Sequence, residues 1–199
     1  MTQPLVLASS SPFRRLLMQN AGLDFVAQAA SIDERTIEAK LAAQNATPET
    51  VALELARAKA LDVSTRFPDA FVIGSDQTMS LGHRVYHKPA SLQEARESLL
   101  SLSGQTHHLN SGVAIVRNGA VVWQIVARAA MTVRVLSPDF VDRYLASVGD
   151  AVMTSVGAYQ LEGEGIRLFE SIDGDYFTIL GLPMLPLLKA LRELGAVND

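Results

Sequence analysis

The pair Asn118-Gly119, set between the apolar stretches 113–116 and 121–126, constrains this chain more than any other feature. Asn-Gly loops of two residues match the twist of the strands they join, because both positions tolerate positive φ. The two stretches are therefore expected to form an antiparallel hairpin, and the alternating stretch 131–135 is expected to continue that sheet. The start of the chain has a different grammar. Leu5-Val6-Leu7-Ala8 is a short apolar strand, Ser9-Ser10-Ser11 breaks it, and Ser11-Pro12 opens a helix with serine as N-cap and proline in the first turn. That helix is expected to end at Gly22. An acidic loop at Asp33-Glu34 follows, then a helix over 48–67 and a buried strand over 69–74 that ends at Ser75-Asp76-Gln77. Ser91-x-x-Glu94 is a capping box for a helix reaching Leu102, Ser137-Pro138 starts another, and 182–194 closes the chain as a helix. Strands alternating with helices, then strands linked by hairpins, predict an α/β protein with a mixed sheet. With no repeat and no Pro/Ser-rich linker, any second lobe must be woven into the first.

Charge and composition narrow the function. There are 17 Lys+Arg against 21 Asp+Glu, a net charge of −4, which lacks the dense basic face that a general nucleic-acid binder needs. A small phosphorylated ligand stays open, since a few focused cations suffice for one. The absence of cysteine removes disulfides, thiolate zinc sites and a cysteine nucleophile. No apolar run reaches the roughly 18 residues of a membrane span, and the best stretch, 178–188, is broken by Pro183 and Pro186. Met1-Thr2-Gln3-Pro4 lacks the basic and apolar regions of a signal peptide, so a soluble cytoplasmic protein is expected.

Several residues stand out against this background. Arg14 and Arg15 fall in the first turn of a helix, where the macrodipole disfavours cations unless an anion is near. Strand, serine-rich turn, helix start and arginine make either a phosphate cradle or two solvated arginines. Lys59 lies amid Ala52, Leu55, Ala56 and Val63 on a helical wheel, so it either snorkels at the rim, paired with Asp62, or points into a site. Asp76, after an apolar strand, is placed as a metal ligand or general base, or else as a turn residue. Glu34 could share a metal with it or be solvated, and Lys88-Pro89 is by default exposed. His107 and His108 are adjacent in a strand and point to opposite faces, and His83 and His87 show no metal spacing. Tyr159, Phe169, Tyr176 and Phe177 could stack on a base, though aromatic residues more often fill cores. Walker, dinucleotide-binding, nucleophile-elbow and zincin motifs are absent.

Taken together the chain resembles the Maf family of nucleoside triphosphate pyrophosphatases over nearly its whole length. The matching stretches are Leu7-Ala8-Ser9-Ser10-Ser11-Pro12-Phe13-Arg14-Arg15, Asp33-Glu34, Ala56-Arg57-Ala58-Lys59-Ala60, Ile73-Gly74-Ser75-Asp76-Gln77, His87-Lys88-Pro89, Leu102-Ser103-Gly104 and Gly181-Leu182-Pro183. Each is weak alone, but seven in order and at the family's spacing are specific. The resemblance implies a mixed twisted sheet with flanking helices, in a single elongated, two-lobed Maf/ITPase-like domain over 1–199 with a central cleft, often a homodimer. It implies hydrolysis of a nucleoside triphosphate between the α- and β-phosphates, giving a monophosphate and pyrophosphate. Ser9, Arg14, Lys59 and Lys88 would hold the triphosphate, Glu34 and Asp76 would bind Mg²⁺ or Mn²⁺, and Asp76 would take the proton of the attacking water. Neither nucleic acid nor membrane is an implied partner. The alternatives are a broad-specificity or dTTP/UTP pyrophosphatase of the same family, or a regulatory nucleotide-binding protein affecting septum formation.

Three positions sort the family by substrate. Members acting on dTTP and UTP carry Arg, Thr and Gln where this chain has Phe13, Gln77 and Glu162. An aromatic, Gln and Glu resemble instead the 7-methyl-GTP subfamily, with Phe13 standing where Trp is expected. A glutamate accepts hydrogen bonds from the N1–H and 2-amino edge of guanine, and a ring can stack on a cationic methylated purine. The resemblance thus implies a house-cleaning enzyme for non-standard nucleotides.

Overall fold

The computed structural model describes residues 4–197; the reading of the Met1-Thr2-Gln3 start lies outside them. The elements are β1 (Leu5–Ala8), α1 (Pro12–Asn20), β2 (Phe25–Ala27), α2 (Glu34–Ala43), α3 (Pro48–Ser64), β3 (Phe71–Leu81), β4 (Arg84–Tyr86) and α4 (Leu92–Leu102). They continue with β5 (Thr106–Arg117), β6 (Ala120–Val133), α5 (Pro138–Val148), short 3-10 turns at Gly149–Thr154 and Glu164–Leu168, β7 (Phe169–Asp173), α6 (Tyr176–Ile179) and α7 (Met184–Glu193). Strands pair in the order β2-β1-β3-β5-β6-β7, with β4 on β3. β1 runs parallel to β2 and β3, whereas β3–β4 and β6–β7 are antiparallel, so the sheet is mixed, as expected of this α/β chain. Asn118 and Gly119 join β5 to β6 at φ of 51° and 73°, the left-handed pair that the hairpin requires.

The chain divides into two compact units. The first runs to Gln77 and adds Asn110–Ala127 and the segment from Asp175 onward. The two-residue period of β1 and β3 builds its core on both faces. Leu5, Leu7, Phe71 and Ile73 pack with α1 and α7 through Leu17, Met18, Leu187 and Leu191. Val6, Ala8 and Val72 face the other way and pack with Ala60 and Val63 of α3. The second unit, Thr78–Leu109 and Arg128–Gly174, holds the β3–β4 hairpin and the β6–β7 pair. In it α4 and α5 are joined by Arg96 Nε donating to Asp142 Oδ1 at 2.6 Å.

The structure departs from the sequence reading in three places. Glu34 is not in a loop: Asp33 caps α2 by accepting from the Thr36 amide at 3.1 Å, and Glu34 is the first helical residue. No residue of α2 is buried, so there was no apolar period to reveal it. Asp76 does not follow a strand but sits within β3, which continues five residues further. The buried polar residues Ser75, Thr78 and Ser80 disguise that continuation. The stretch 131–135 does continue the sheet as far as Val133, as the end of the long β6 itself. Finally, the closing helix begins at Met184, and Tyr176–Ile179 forms a separate short turn of helix before it.

Candidate active site

Side-chain parity on β3 sorts the chemistry of the first unit. Val72, Gly74 and Asp76 point toward α3, while Ile73, Ser75 and Gln77 point to the opposite face. On the α3 face two glycines let the helix come down onto the strands. A Cβ at Gly74 would lie 2.1 Å from the Ala56 carbonyl oxygen, and one at Gly112 on β5 would lie 2.5 Å from that of Ala52. Ala52, Ala56 and Ala60, four residues apart, line the near side of α3 and keep its contact surface flat. Lys59, beside Ala60, is thereby placed over Asp76.

Lys59 Nζ donates to Asp76 Oδ1 at 2.6 Å and lies 3.1 Å from Glu34 Oε1. The Lys59 and Asp76 side chains are only 12% and 13% exposed, against 50% for Glu34. Of the two options for Lys59, the structure takes the second: it points into a charged cluster. Asp62 turns instead to Arg66 and to the Ser31 amide.

Arg14 completes the cluster from α1. Ser11 caps that helix, accepting from the Arg14 amide at 3.4 Å. The guanidinium is forked between two backbone carbonyls: Nε donates to Gly181 at 2.9 Å and Nη1 to Ser75 at 2.8 Å. Nη1 also reaches Ser9 Oγ at 3.3 Å, while Nη2 has no partner among the described residues. Burial pushes the Arg14 pKa below its ordinary value, and the Asp76 and Glu34 charges oppose that shift. Ser9 is itself buried, and its oxygen accepts from the Ser11 amide at 3.2 Å and from Arg14, leaving its own hydroxyl hydrogen to donate. Arg15 is exposed.

On the opposite face of β3, Ser75 Oγ donates to the Gly181 carbonyl at 2.8 Å. Gln77 Nε2 donates to Ser111 Oγ at 2.9 Å and to the Thr178 and Ile179 carbonyls at 3.0 and 3.2 Å. The amide nitrogen is thus committed to α6, and Oε1 is the end left to accept. Phe13 is half-exposed at the start of α1.

The structure therefore brings Ser9, Arg14, Glu34, Lys59 and Asp76 together in one unit, with Gln77 next in sequence. Lys88 and Glu162 belong to the second unit, where both are exposed, Lys88 after β4 and Glu162 between the two 3-10 turns. Gly112 and Ser111 escaped the sequence reading, and Gly74 and Ser75 entered it only within a matching stretch, without a role. Glycine within a strand is a signal for close backbone approach, and it was present at positions 74 and 112.

Two cations and two carboxylates cancel, so Arg14, Glu34, Lys59 and Asp76 carry no surplus charge with which to hold a polyanion. The carboxylate pair, already gathered around one ammonium, is an oxygen donor set of the kind Mg²⁺ or Mn²⁺ takes when water and phosphate complete its shell. No group of three or more His, Asp or Glu side chains forms an all-protein metal cage among the described residues. The donor set fits a cation bound jointly with substrate.

The fold is that of a mixed α/β protein, and comparison with known proteins gives its family: the chain belongs to the Maf-like protein family, whose model matches residues 4–194. It is 65% identical over 198 residues, 100% of each chain to the nearest per cent, to the 7-methyl-GTP pyrophosphatase of Rhizobium johnstonii. It is 66% identical over 194 residues, 98% of each chain, to the protein of that name from Rhizobium meliloti. The nucleoside triphosphate pyrophosphatase of Bradyrhizobium diazoefficiens is 52% identical over 96% of this chain and 93% of its own. Among solved structures, a HAM1 protein from Coxiella burnetii aligns with 66% of this chain and 73% of its own at 16% identity and a TM-score of 0.44. No helix among the described residues is long and apolar enough to cross a membrane.

Proposed function

We propose that this chain is a nucleoside triphosphate pyrophosphatase that prefers 7-methyl-GTP and releases pyrophosphate by hydrolysis between the α- and β-phosphates. The observation that carries this reading is the cluster in which Lys59 holds Asp76 and Glu34 beside the half-buried Arg14. The names of full-length relatives at 65% and 66% identity support the substrate.

In this reading the triphosphate meets the Ser9 hydroxyl, the Arg14 Nη2 edge, the Lys59 ammonium and Lys88. Phosphate oxygens draw the Lys59 ammonium from Asp76, which leaves that carboxylate oxygen open to accept a proton where the reaction needs it. Water attacks the α-phosphorus in line, its proton passes to Asp76, and the bond to the bridging oxygen breaks. Arg14, Lys59 and Lys88 meet the charge that develops on the departing pyrophosphate. Glu34 and Asp76 would hold Mg²⁺ or Mn²⁺, which supplies Lewis-acid stabilisation of phosphoryl charge. For the base, Glu162 accepts from the guanine edge, Gln77 contributes Oε1, and Phe13 stacks on the cationic purine.

The test is a product-resolved assay with Mg²⁺ and Mn²⁺, offering 7-methyl-GTP, GTP, dTTP, UTP and CTP side by side, on the native chain and on Asp76→Asn. Pyrophosphate from 7-methyl-GTP in preference, lost in Asp76→Asn while nucleotide binding persists, is the expected result. Pyrophosphate released evenly from all five would replace the preference with the broader activity for which the Bradyrhizobium relative is named. Inorganic phosphate as product, or undiminished turnover by Asp76→Asn, would overturn the mechanism.

A further inference from the structure

The second unit contains a polar pair that an apolar core does not need. His107 on β5 is fully buried, and its Nε2 lies 2.7 Å from the hydroxyl of Tyr159, itself 6% exposed. The Phe169 ring meets Tyr159 edge-on, with centroids 4.9 Å apart, and lies 6.0 Å from His107. His107 Nδ1 is buried without a hydrogen-bond partner. Burial brings the imidazole pKa down to about 4, with His108 adding to the shift, so the ring is neutral near pH 7. Phenylalanine at both positions would fill a similar volume without stranding a nitrogen. What the polar pair adds is direction, because a hydrogen bond fixes one partner against the other at a set distance and angle.

What it directs is the segment 155–163, which has no regular structure between the two 3-10 turns. Ser155 Oγ donates to the Tyr159 carbonyl, and Tyr144 Oη donates to the Ala158 carbonyl at 3.4 Å. Ala158 is held at φ of 58°, a left-handed conformation that a non-glycine residue adopts only when its surroundings impose it. A Cβ at Gly157 would lie 2.2 Å from the Tyr159 ring, and one at Gly165 would lie 2.4 Å from the Gln160 carbonyl oxygen. The Gly163 amide closes the turn onto that carbonyl at 3.2 Å. Glu162, at the tip of this turn, is exposed and makes no hydrogen bond or ion pair of its own among the described residues. Its location is inherited from Tyr159, three residues earlier.

We propose that His107 and Tyr159 are positioning residues for substrate specificity, fixing the 155–163 segment so that Glu162 is presented in one place to the guanine edge. The inference rests on the reading of Glu162 given above, and its test separates the two. Hydrogen exchange of the full chain is compared for native protein, Tyr159→Phe and His107→Phe, with KM and kcat measured on 7-methyl-GTP and GTP. Exchange is expected to speed up in peptides covering 158–165 but not in those covering α4. KM for 7-methyl-GTP is expected to rise about tenfold with kcat kept, as for a lost binding orientation of hydrogen-bond size. In a Glu162→Gln background the same Tyr159→Phe change should leave KM unmoved, because the group it positions is gone. Unchanged exchange at 158–165 overturns the positioning role whatever Glu162 does. A KM rise that persists in the Glu162→Gln background shows that the pair does not act through Glu162. If Glu162→Gln alone leaves the nucleotide preference intact, the specificity reading of Glu162 falls, and with it the functional part of this inference.

Discussion

Lys59 Nζ sits 2.6 Å from Asp76 Oδ1 because two periodicities coincide at one point. Asp76 is two residues beyond Gly74 on the same face of β3, and Lys59 is next to Ala60 on the helix that Gly74 admits. The strand period of two and the helical stripe of alanines together aim an ammonium at a carboxylate, and Glu34 at the start of α2 joins them. Three elements far apart in sequence thus converge on one charge cluster whose ion pair can be traded for phosphate.

Lys59→Met tests what that ammonium does. Removing it leaves the Asp76 carboxylate, 13% exposed, with its strongest partner gone, and one-sided removal of a buried pair is the damaging kind. Stability should fall by about 1–3 kcal/mol, read by urea denaturation. Pyrophosphate release should fall much further than that loss explains, with KM for the nucleotide raised. A variant that melts early but turns over normally would leave Lys59 a purely structural residue.

Gly74→Ala and Gly112→Ala should each push α3 off the strands, since the new methyl would overlap backbone atoms at 2.1 and 2.5 Å, which cannot swing aside as a flexible side chain can. Overpacking on this scale destabilises by about 3 kcal/mol. Because Lys59 rides on α3, the fraction that remains folded should also have lower kcat. Gly119→Ala is the contrast: its methyl meets no atom within 4 Å but its φ is 73°, so any loss there is backbone strain, which Gly74 and Gly112 do not carry. Equal activity per folded molecule in Gly74→Ala would break the link between helix seating and the site.

How much of this was legible beforehand follows from the range of each interaction. The Asn118-Gly119 turn, the Ser11-Pro12 cap and the continuous apolar run of β1 are local signals, and each marks the element it predicts. The core of the charge cluster, Arg14, Lys59 and Asp76, could be singled out because each breaks a local rule: a cation at a helix start, a lysine in an apolar stripe, an acid after a buried strand. Which option each took was decided by tertiary contacts. Lys59 choosing Asp76 over Asp62, and Gly74 meeting Ala56, depend on how α3 crosses β3, which one chain's local pattern does not encode. Glu34 was misplaced because α2 packs too lightly to show a period, and β3 was cut short because its second half buries serines and threonines in place of valines.

Arg14→Lys keeps the charge and removes the fork. A lysine cannot donate along both the Nε and Nη1 directions that hold the Gly181 and Ser75 carbonyls, and it has no second edge to leave for a phosphate. Losing hydrogen bonds from a charged donor should destabilise by about 1.5–3 kcal/mol. The KM for the triphosphate should rise even though net charge is unchanged. A melting temperature and KM equal to those of the native chain would mean that charge alone matters at this position.

Acid should weaken the second unit through His107. Its pKa is about 4 in the folded protein against an ordinary 6.5, so between these values the unfolded chain binds the proton and the folded one does not. Stability is then unaffected by this group above pH 6.5, declines as pH falls through the window, and levels off below about 4. One pKa unit corresponds to about 1.4 kcal/mol, so native protein should be about 2 kcal/mol less stable at pH 5 than at pH 7 through His107 alone. Other groups titrate in the same range, so the decisive quantity is the difference in slope between the native chain and His107→Phe. Urea midpoints at pH 7, 6 and 5 should converge for the two proteins as pH falls, even though His107→Phe starts lower for want of the Tyr159 hydrogen bond. Parallel lines would mean that the imidazole titrates alike in the folded and unfolded chain, and that its burial is not maintained in solution.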